Sequence, residues 1–368
     1  MTNRWTICCL VSLLAIGLTT TSASQACAAD EEAEAIASPA ANTFGPAVRT
    51  VWEFGLEIEA TDKASGITAT VPIPMDWPEQ TVRLLEDHRS DGVGKFKHRD
   101  ITKEAKQAQF NVNRISSEQK AIAFQEFEVF RRPIIKPEQP QLLQIADPVP
   151  GKVKRFLKPS PYIESRHEQI REIANQLKET HGEGPAWDWV ESIYRYVREK
   201  VQYKFDTQIH SCLEALESGH GDCEELSSLF IAICRASDIP ARAVWIPGHT
   251  YPEFYLVDSE GNGHWFPCQA AGIYAFGEMN ETRPVLQKGD RFRLPGQRKP
   301  IRYVRPTLLA KEPGGGISLK WIARETTGAV LNDTSATPTS DFGENAAEHR
   351  QLVPSPLPLS TPPQPTKP

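Results

Sequence analysis

Apolar and polar residues alternate one for one over several stretches of the first third of the chain. In "VWEFGLEIEA", Trp52, Phe54, Leu56 and Ile58 alternate with Glu53, Gly55, Glu57 and Glu59; in "GITATVPIPM" the apolar set is Ile67, Ala69, Val71, Ile73 and Met75. A period of two puts the two sets on opposite faces of a half-buried strand. "QFNVNRI" and "AIAFQEFEVF" continue the pattern, and a phase slip at Gln125 and Glu126 in the second predicts a β-bulge. These runs predict a small antiparallel sandwich over 47–135. The proline-rich stretch 136–160 then predicts a connection.

Beyond it the period lengthens to that of helices. Ser165 and Glu168 have the spacing of a capping box ahead of Ile170, Ile173, Ala174 and Leu177. A second helix, 185–201, presents Val190, Ile193, Tyr194, Val197 and Val201 on one face. A third follows Asp222: Glu225 completes a capping box, and Leu226, Leu229, Phe230 and Ile233 form a buried stripe running to Ala236. Strand patterns return at 241–246, 253–257 and 264–268, with "DSEGNG" as the turn between the last two. Helices followed by strands predict an α+β domain, 161–310, that includes a C-terminal extension.

The two ends carry a different composition. At the start, Arg4 precedes an apolar run of about a dozen residues and a small-residue stretch ending in Ala26, Cys27 and Ala28. This layout predicts a signal peptide over 1–28, cut after Ser24 or Ala28, with an acylated Cys27 as the lipoprotein alternative. It implies export to the periplasm or the exterior. Residues 29–46 read as a linker, and the Pro/Ser/Thr-rich tail 333–368 lacks the apolar residues to bury a core. No other run reaches transmembrane length. A formal net charge of -6 argues against bulk binding to nucleic acid or anionic membrane. The basic run from Lys288 to Lys311 reads as a solvated loop face.

Signal removal leaves Cys212, Cys223, Cys234 and Cys268, too few to frame a fold. Cys223, in "ESGHGDCEELSSLF", has four candidate fates: nucleophile, metal ligand, disulfide half or packing. Cys223 and Cys234 are three helical turns apart, about 16 Å, too far to share a metal ion or a disulfide. A bridge from Cys212 to Cys234 or Cys268 stays open. Cys223 falls at the first helical position, where unpaired backbone N–H groups and the helix dipole favour a thiolate, while Glu224 and Glu225 oppose it. A base is therefore needed. If the Tyr255 and Trp265 strands pair as a hairpin, His249 at the start of one lies beside Gln269 at the end of the other, giving a Cys–His–amide line. His220 and His264 are alternative bases, and Asp258 an alternative orienter.

"GHGDCEELSSLFIAICRASDIPARAV" followed by "HTYPEFYLVDSEGNGHWFPCQ" resembles the transglutaminase-like superfamily, whose core shares the papain-like arrangement. Gly221 and Cys223 match its nucleophile turn. "RASDIPAR" matches a second segment with Asp238 in place of glycine, "HTYPE" puts His249 at the catalytic histidine, and "WFPCQ" aligns Trp265 and Pro267 but puts Gln269 where the family has aspartate. The resemblance implies a papain/transglutaminase-like α+β core preceded by the β-rich sandwich, in an exported, bacterial-type member. It implies Cys223, His249 and Gln269 as catalytic residues, with Asp222, Gly221 and Trp265 supporting the oxyanion site or cleft. Neither cofactor nor metal is implied. The expected substrate is a peptide or protein amide, attacked through a thioester and resolved by water in preference to an amine. A binding scaffold weakened or inactivated by Gln269 is the alternative.

Overall fold

The computed structural model describes residues 41–117, 119–312 and 316–327. The expected signal peptide, most of the expected linker and the tail 333–368 lie outside the described residues. The first region holds strands β1 (Thr43–Phe44), β2 (Val48–Ala60), β3 (Ala64–Ile73), β4 (Gln80–Arg89), β5 (Lys97–Thr102), β6 (Ala105–Ile115), β7 (Lys120–Arg131) and β8 (Ile134–Ile135). The alternating sets do what their period dictates. Phe54, Leu56 and Ile58 of β2 meet Ile67, Ala69 and Val71 of β3 and Phe110 of β6 in one apolar core. Burying such side chains stabilises by about 1.5–3 kcal/mol each.

At Gln125 the structure corrects the sequence reading. β7 keeps one phase and a regular register with β2 throughout, so Gln125 simply lies in the buried set. It is accommodated by hydrogen bonds: its Nε2 donates to Asp87 Oδ1 at 2.6 Å, and its Oε1 lies 2.9 Å from His98 Nε2. The irregularity sits on the partner strand, between Leu84 and Glu86 of β4.

Next come α1 (Glu168–His181), α2 (Ala186–Lys200), β9 (Gln202–Tyr203), α3 (Cys212–Ser218), β10 (His220–Gly221) and α4 (Cys223–Ala236). Three antiparallel strands follow, β11 (Ala241–Ile246), β12 (His249–Val257) and β13 (Gly263–Pro267). α1 is not opened by the expected box: His167 is its N-cap without a side-chain bond, and the buried Ser165 hydroxyl makes no hydrogen bond among the described residues. α4 does carry the box predicted for it, Asp222 with Glu225. Its apolar face, with Leu229, Phe230 and Ile233, packs with Tyr194 of α2 and with Phe254, Leu256 and Phe266 of the sheet.

Strands β14 (Gln287–Lys288), β15 (Thr307–Leu309) and β16 (Ile317–Thr327) return the chain to its beginning. One sheet runs β16-β2-β7-β4. The other runs β13-β12-β11-β14-β6-β3-β15 with β5 on β6, so the strands behind α4 are continuous with the sandwich through the Gln287–Ala105 pair. Most of the basic run is the solvated face its composition suggests, with Arg291, Arg293, Arg298, Lys299, Arg305 and Lys311 exposed, but Lys288 and Arg302 are buried. Lys288 sits in an alternating series, bonded to Glu253 at 2.6 Å and to Glu79 at 2.7 Å. Glu253 also binds Arg242 at 2.7 Å, and Glu79 faces Arg131 at 3.4 Å. Burial would raise the Glu253 carboxyl, but Lys288 and Arg242 outweigh it and hold the group at about 2.

Candidate functional site

The turn before α4 is built around a residue with no room for a side chain. A Cβ on Gly221 would lie 2.6 Å from Glu225 Cβ. Glycine lets the turn close, and Gly221 pairs with Tyr203 of β9. Asp222 then caps α4: its carboxylate accepts from Glu224 N at 2.7 Å, while Glu225 Oε2 accepts from Asp222 N at 2.9 Å. Glu225 Oε1 also accepts from His210 N at 2.9 Å, which ties the preceding loop to the cap.

Cys223 is the first residue of α4 and partly buried. Burial and then the neighbouring Asp222 push its thiol up to about 12, with a backbone hydrogen bond from Thr250 working the other way. That bond puts the sulfur at the start of β12, beside the residue that follows His249. Burial and the hydrogen bond to Glu225 likewise raise Asp222, to about 8, so near neutrality it keeps its proton. Arg302 lies behind this turn, its Nη2 donating to the Glu224 carbonyl at 2.8 Å and its Nε 3.3 Å from the Glu224 carboxylate.

His249 opens β12 directly after the Pro247–Gly248 turn, in which Gly248 has φ 70. Proline then glycine in the left-handed region is the chemistry of a type II turn. Gln269 follows β13. Its N–H donates to Ala275 O at 2.9 Å and its carbonyl accepts from Arg198 Nη1 at 2.9 Å, so the backbone is held on both sides. Its side-chain Oε1 is 2.9 Å from His249 Nε2. An amide oxygen accepts only, so Nε2 carries the proton in this contact and Nδ1 is the unprotonated nitrogen of the ring.

The Tyr255–Trp265 pairing aligns the hairpin. Trp265 itself lies four residues before Gln269, about 13 Å along an extended chain. There the Arg242 guanidinium covers its ring at 3.9 Å, and Phe156 and Tyr255 pack at 5.2 Å. The alternative bases are engaged elsewhere: His264 Nε2 binds Asp258 Oδ2 at 3.0 Å, and His220 Nδ1 donates to Ser218 O at 2.9 Å. Asp258 is thereby committed to the β12–β13 turn. Cys212, Cys223, Cys234 and Cys268 are all free thiols, and Cys212 donates to Glu164 Oε2 at 2.9 Å. Among the described residues, no group of three or more His, Cys, Asp and Glu is placed to hold a metal ion, and no helix is long and apolar enough to cross a membrane. Arg302, read with the rest of the basic run as solvated, gave no sign of facing this turn, because a loop residue in no periodic pattern does not show what it meets.

Residues 171–270 match the family model described as the transglutaminase-like superfamily. No curated protein matches the chain in sequence. Among solved structures, a candidate cysteine protease from Cytophaga hutchinsonii superposes with a TM-score of 0.55 at 15% identity, over 82% of this chain and 96% of that one. The periplasmic domain of TgpA from Pseudomonas aeruginosa, bound to ethylmercury, matches with a TM-score of 0.32 at 13% identity, over 62% of this chain and 90% of that one. Residues 171–270 of this chain are thus similar to the transglutaminase-like superfamily by the family model, and the fold is that of the Cytophaga hutchinsonii structure.

Proposed function

We propose that the chain is an exported cysteine enzyme, periplasmic or secreted, that acts on amide or peptide bonds through a thioester and passes the acyl group to water in preference to an amine. The observation that carries this reading is the 2.9 Å contact between His249 and Gln269 at the start of the strand whose Thr250 N–H reaches Cys223. With its thiol pushed up to about 12, Cys223 rests as the neutral thiol. Its proton passes to His249 as sulfur bonds to the substrate carbonyl carbon. The oxyanion so formed faces the backbone N–H of Cys223, which as a first helical residue has no partner within the helix, a donor of the kind that contributes about 3 kcal/mol. His249 then gives the proton to the amine as the C–N bond breaks. Water, deprotonated by His249, attacks the thioester and releases the acid and the thiol.

The test is iodoacetamide labelling near neutral pH alongside turnover of peptide amides followed by mass. Cys223 is expected to label faster than Cys212 or Cys268, and Cys223→Ala and His249→Ala to abolish turnover with folding intact. Equal labelling of the three thiols overturns the reading. The raised thiol favours a second reading, a binding scaffold on the same fold. Gln269→Asp separates the two: a large gain in Cys223 reactivity identifies a weakened catalyst, and no change identifies a scaffold.

A further inference from the structure

Gln269 can orient the His249 ring, but an amide cannot offset the positive charge the ring acquires when it holds the cysteine proton. The structure brings a carboxylate to the same hairpin from a different part of the chain. Glu281 has a side chain 11% exposed, in the loop before β14. Its Oε1 accepts from Arg283 N at 3.0 Å and Arg283 Nε at 2.9 Å, and its Oε2 from Arg283 Nη2 at 2.6 Å. Arg283 Nη1 then donates to the Pro247 carbonyl at 3.1 Å, two residues before His249. From the other side, one buried guanidinium bridges the same loop and strand: Arg131 Nε donates to Glu281 O at 3.3 Å, and its Nη2 to the Tyr251 hydroxyl at 2.9 Å. The Tyr251 ring centroid lies 6.4 Å from that of His249. Glu281 is thus tied, through Arg283 and Arg131, to the chain on both sides of His249.

We infer that Glu281 is the charge-balancing partner of His249: Gln269 sets the direction of the ring, and the Glu281 carboxylate offsets the imidazolium formed when the ring takes the cysteine proton. This rests on the reading of His249 as the base. Glu281 is a positioning residue that acts through the imidazole. Electrostatics run the same way. Burial would raise the Glu281 carboxyl, but Arg283 outweighs it, with His249 among the groups that lower it. The coupling is mutual, so an ionised Glu281 favours the protonated ring. Charged or titratable groups of the packed elements among the described residues include Cys223 at the start of α4 with its N-cap Asp222, Tyr251 on the strand of His249 with Arg131 behind it, and Arg283 on the loop of Glu281.

The experiment follows the His249 imidazole by NMR titration of the full chain in a Cys223→Ala background, with the resonance assigned by its loss in His249→Ala. Glu281→Gln is expected to lower the imidazole pKa by about one unit, as loss of a nearby opposite charge does. Glu281→Asp should keep most of the wild-type value, and Glu281→Gln with Arg283→Gln should retain at least half of the fall. In the chain that keeps Cys223, Glu281→Gln should also slow iodoacetamide labelling near pH 7 by roughly tenfold. An unchanged His249 titration in Glu281→Gln overturns the inference. So does a fall that vanishes in the double variant, because the Glu281–Arg283 pair would then be neutral toward the ring. Failure of the acyl-transfer reading is separately visible: wild-type Cys223 would label no faster than Cys212, while the titration still decides whether Glu281 and His249 are coupled.

Discussion

At the scale of single residues, the immediate surroundings of Cys223 disfavour a thiolate, and Asp222 accounts for part of that. An N-cap carboxyl held at about 8 is protonated near neutrality and becomes a charge beside the sulfur as pH rises. Alkylation of Cys223 between pH 7 and 9 should therefore climb less than the tenfold per unit of an isolated thiol. In Asp222→Asn, which preserves the cap and fixes the neutral state, the full slope should return; a parallel profile in both chains would show that Asp222 does not act on the sulfur. The same residue affects stability in a definite direction. Its carboxyl is raised in the fold, so from about pH 4 to 8 the folded state holds a proton that the unfolded chain releases, and stability falls across that window. Thermal unfolding of Asp222→Asn should show a shallower decline there. The pairing of His249 with Gln269 was readable because the hairpin register is set by alternation, and the position of Cys223 because a capping box marks the start of α4. Glu281 and Arg302 were not, since a loop side chain is located by what the rest of the fold brings to it.

At the scale of elements, strands and helices with a clean period were legible, and those whose burial comes from elsewhere were not. β2, β3, β6, β7, α2 and α4 follow their apolar spacing. β4 is mostly exposed, so its sequence shows no alternation. The box at Ser165 misled because a polar residue at the right spacing does not fix where a helix starts; Ser165 is buried and α1 begins three residues later. The elements on the two sides of β14 are joined by buried charge, and this has a measurable consequence. Glu253→Gln leaves Arg242 without its carboxylate and Lys288 with Glu79 alone, a broken buried pair of the kind that costs about 3–5 kcal/mol in urea unfolding. Wild-type stability supplied by Glu253 is complete above its ordinary value and disappears as pH falls toward about 2. The variant should lose less in that acid range, and an equal loss would remove Glu253 from the account.

At the scale of the whole molecule, the sandwich and the transglutaminase-like core share a sheet, and the sandwich depends on residues from far along the chain. Ile317, Leu319 and Trp321 of β16 alternate as plainly as β2 does, yet their partner strand could not be named from sequence, because nothing local distinguishes pairing with β2 from pairing with a nearer strand. A chain ending at Glu312 should leave β2 as an exposed edge: protease cleavage is expected first within 48–131, with 171–270 more resistant, and uniform resistance would show that β16 is dispensable. The order of pairing also has a consequence for how the protein comes into being. During synthesis β2 emerges early and waits for a neighbour that is made near the end, when Ile317 at last meets Ala60. Loop closure of that length is slow relative to local contacts. Until β16 has been made the first sheet is incomplete, and one edge of β2, the longest strand among the described residues, stays open to any other strand edge it meets.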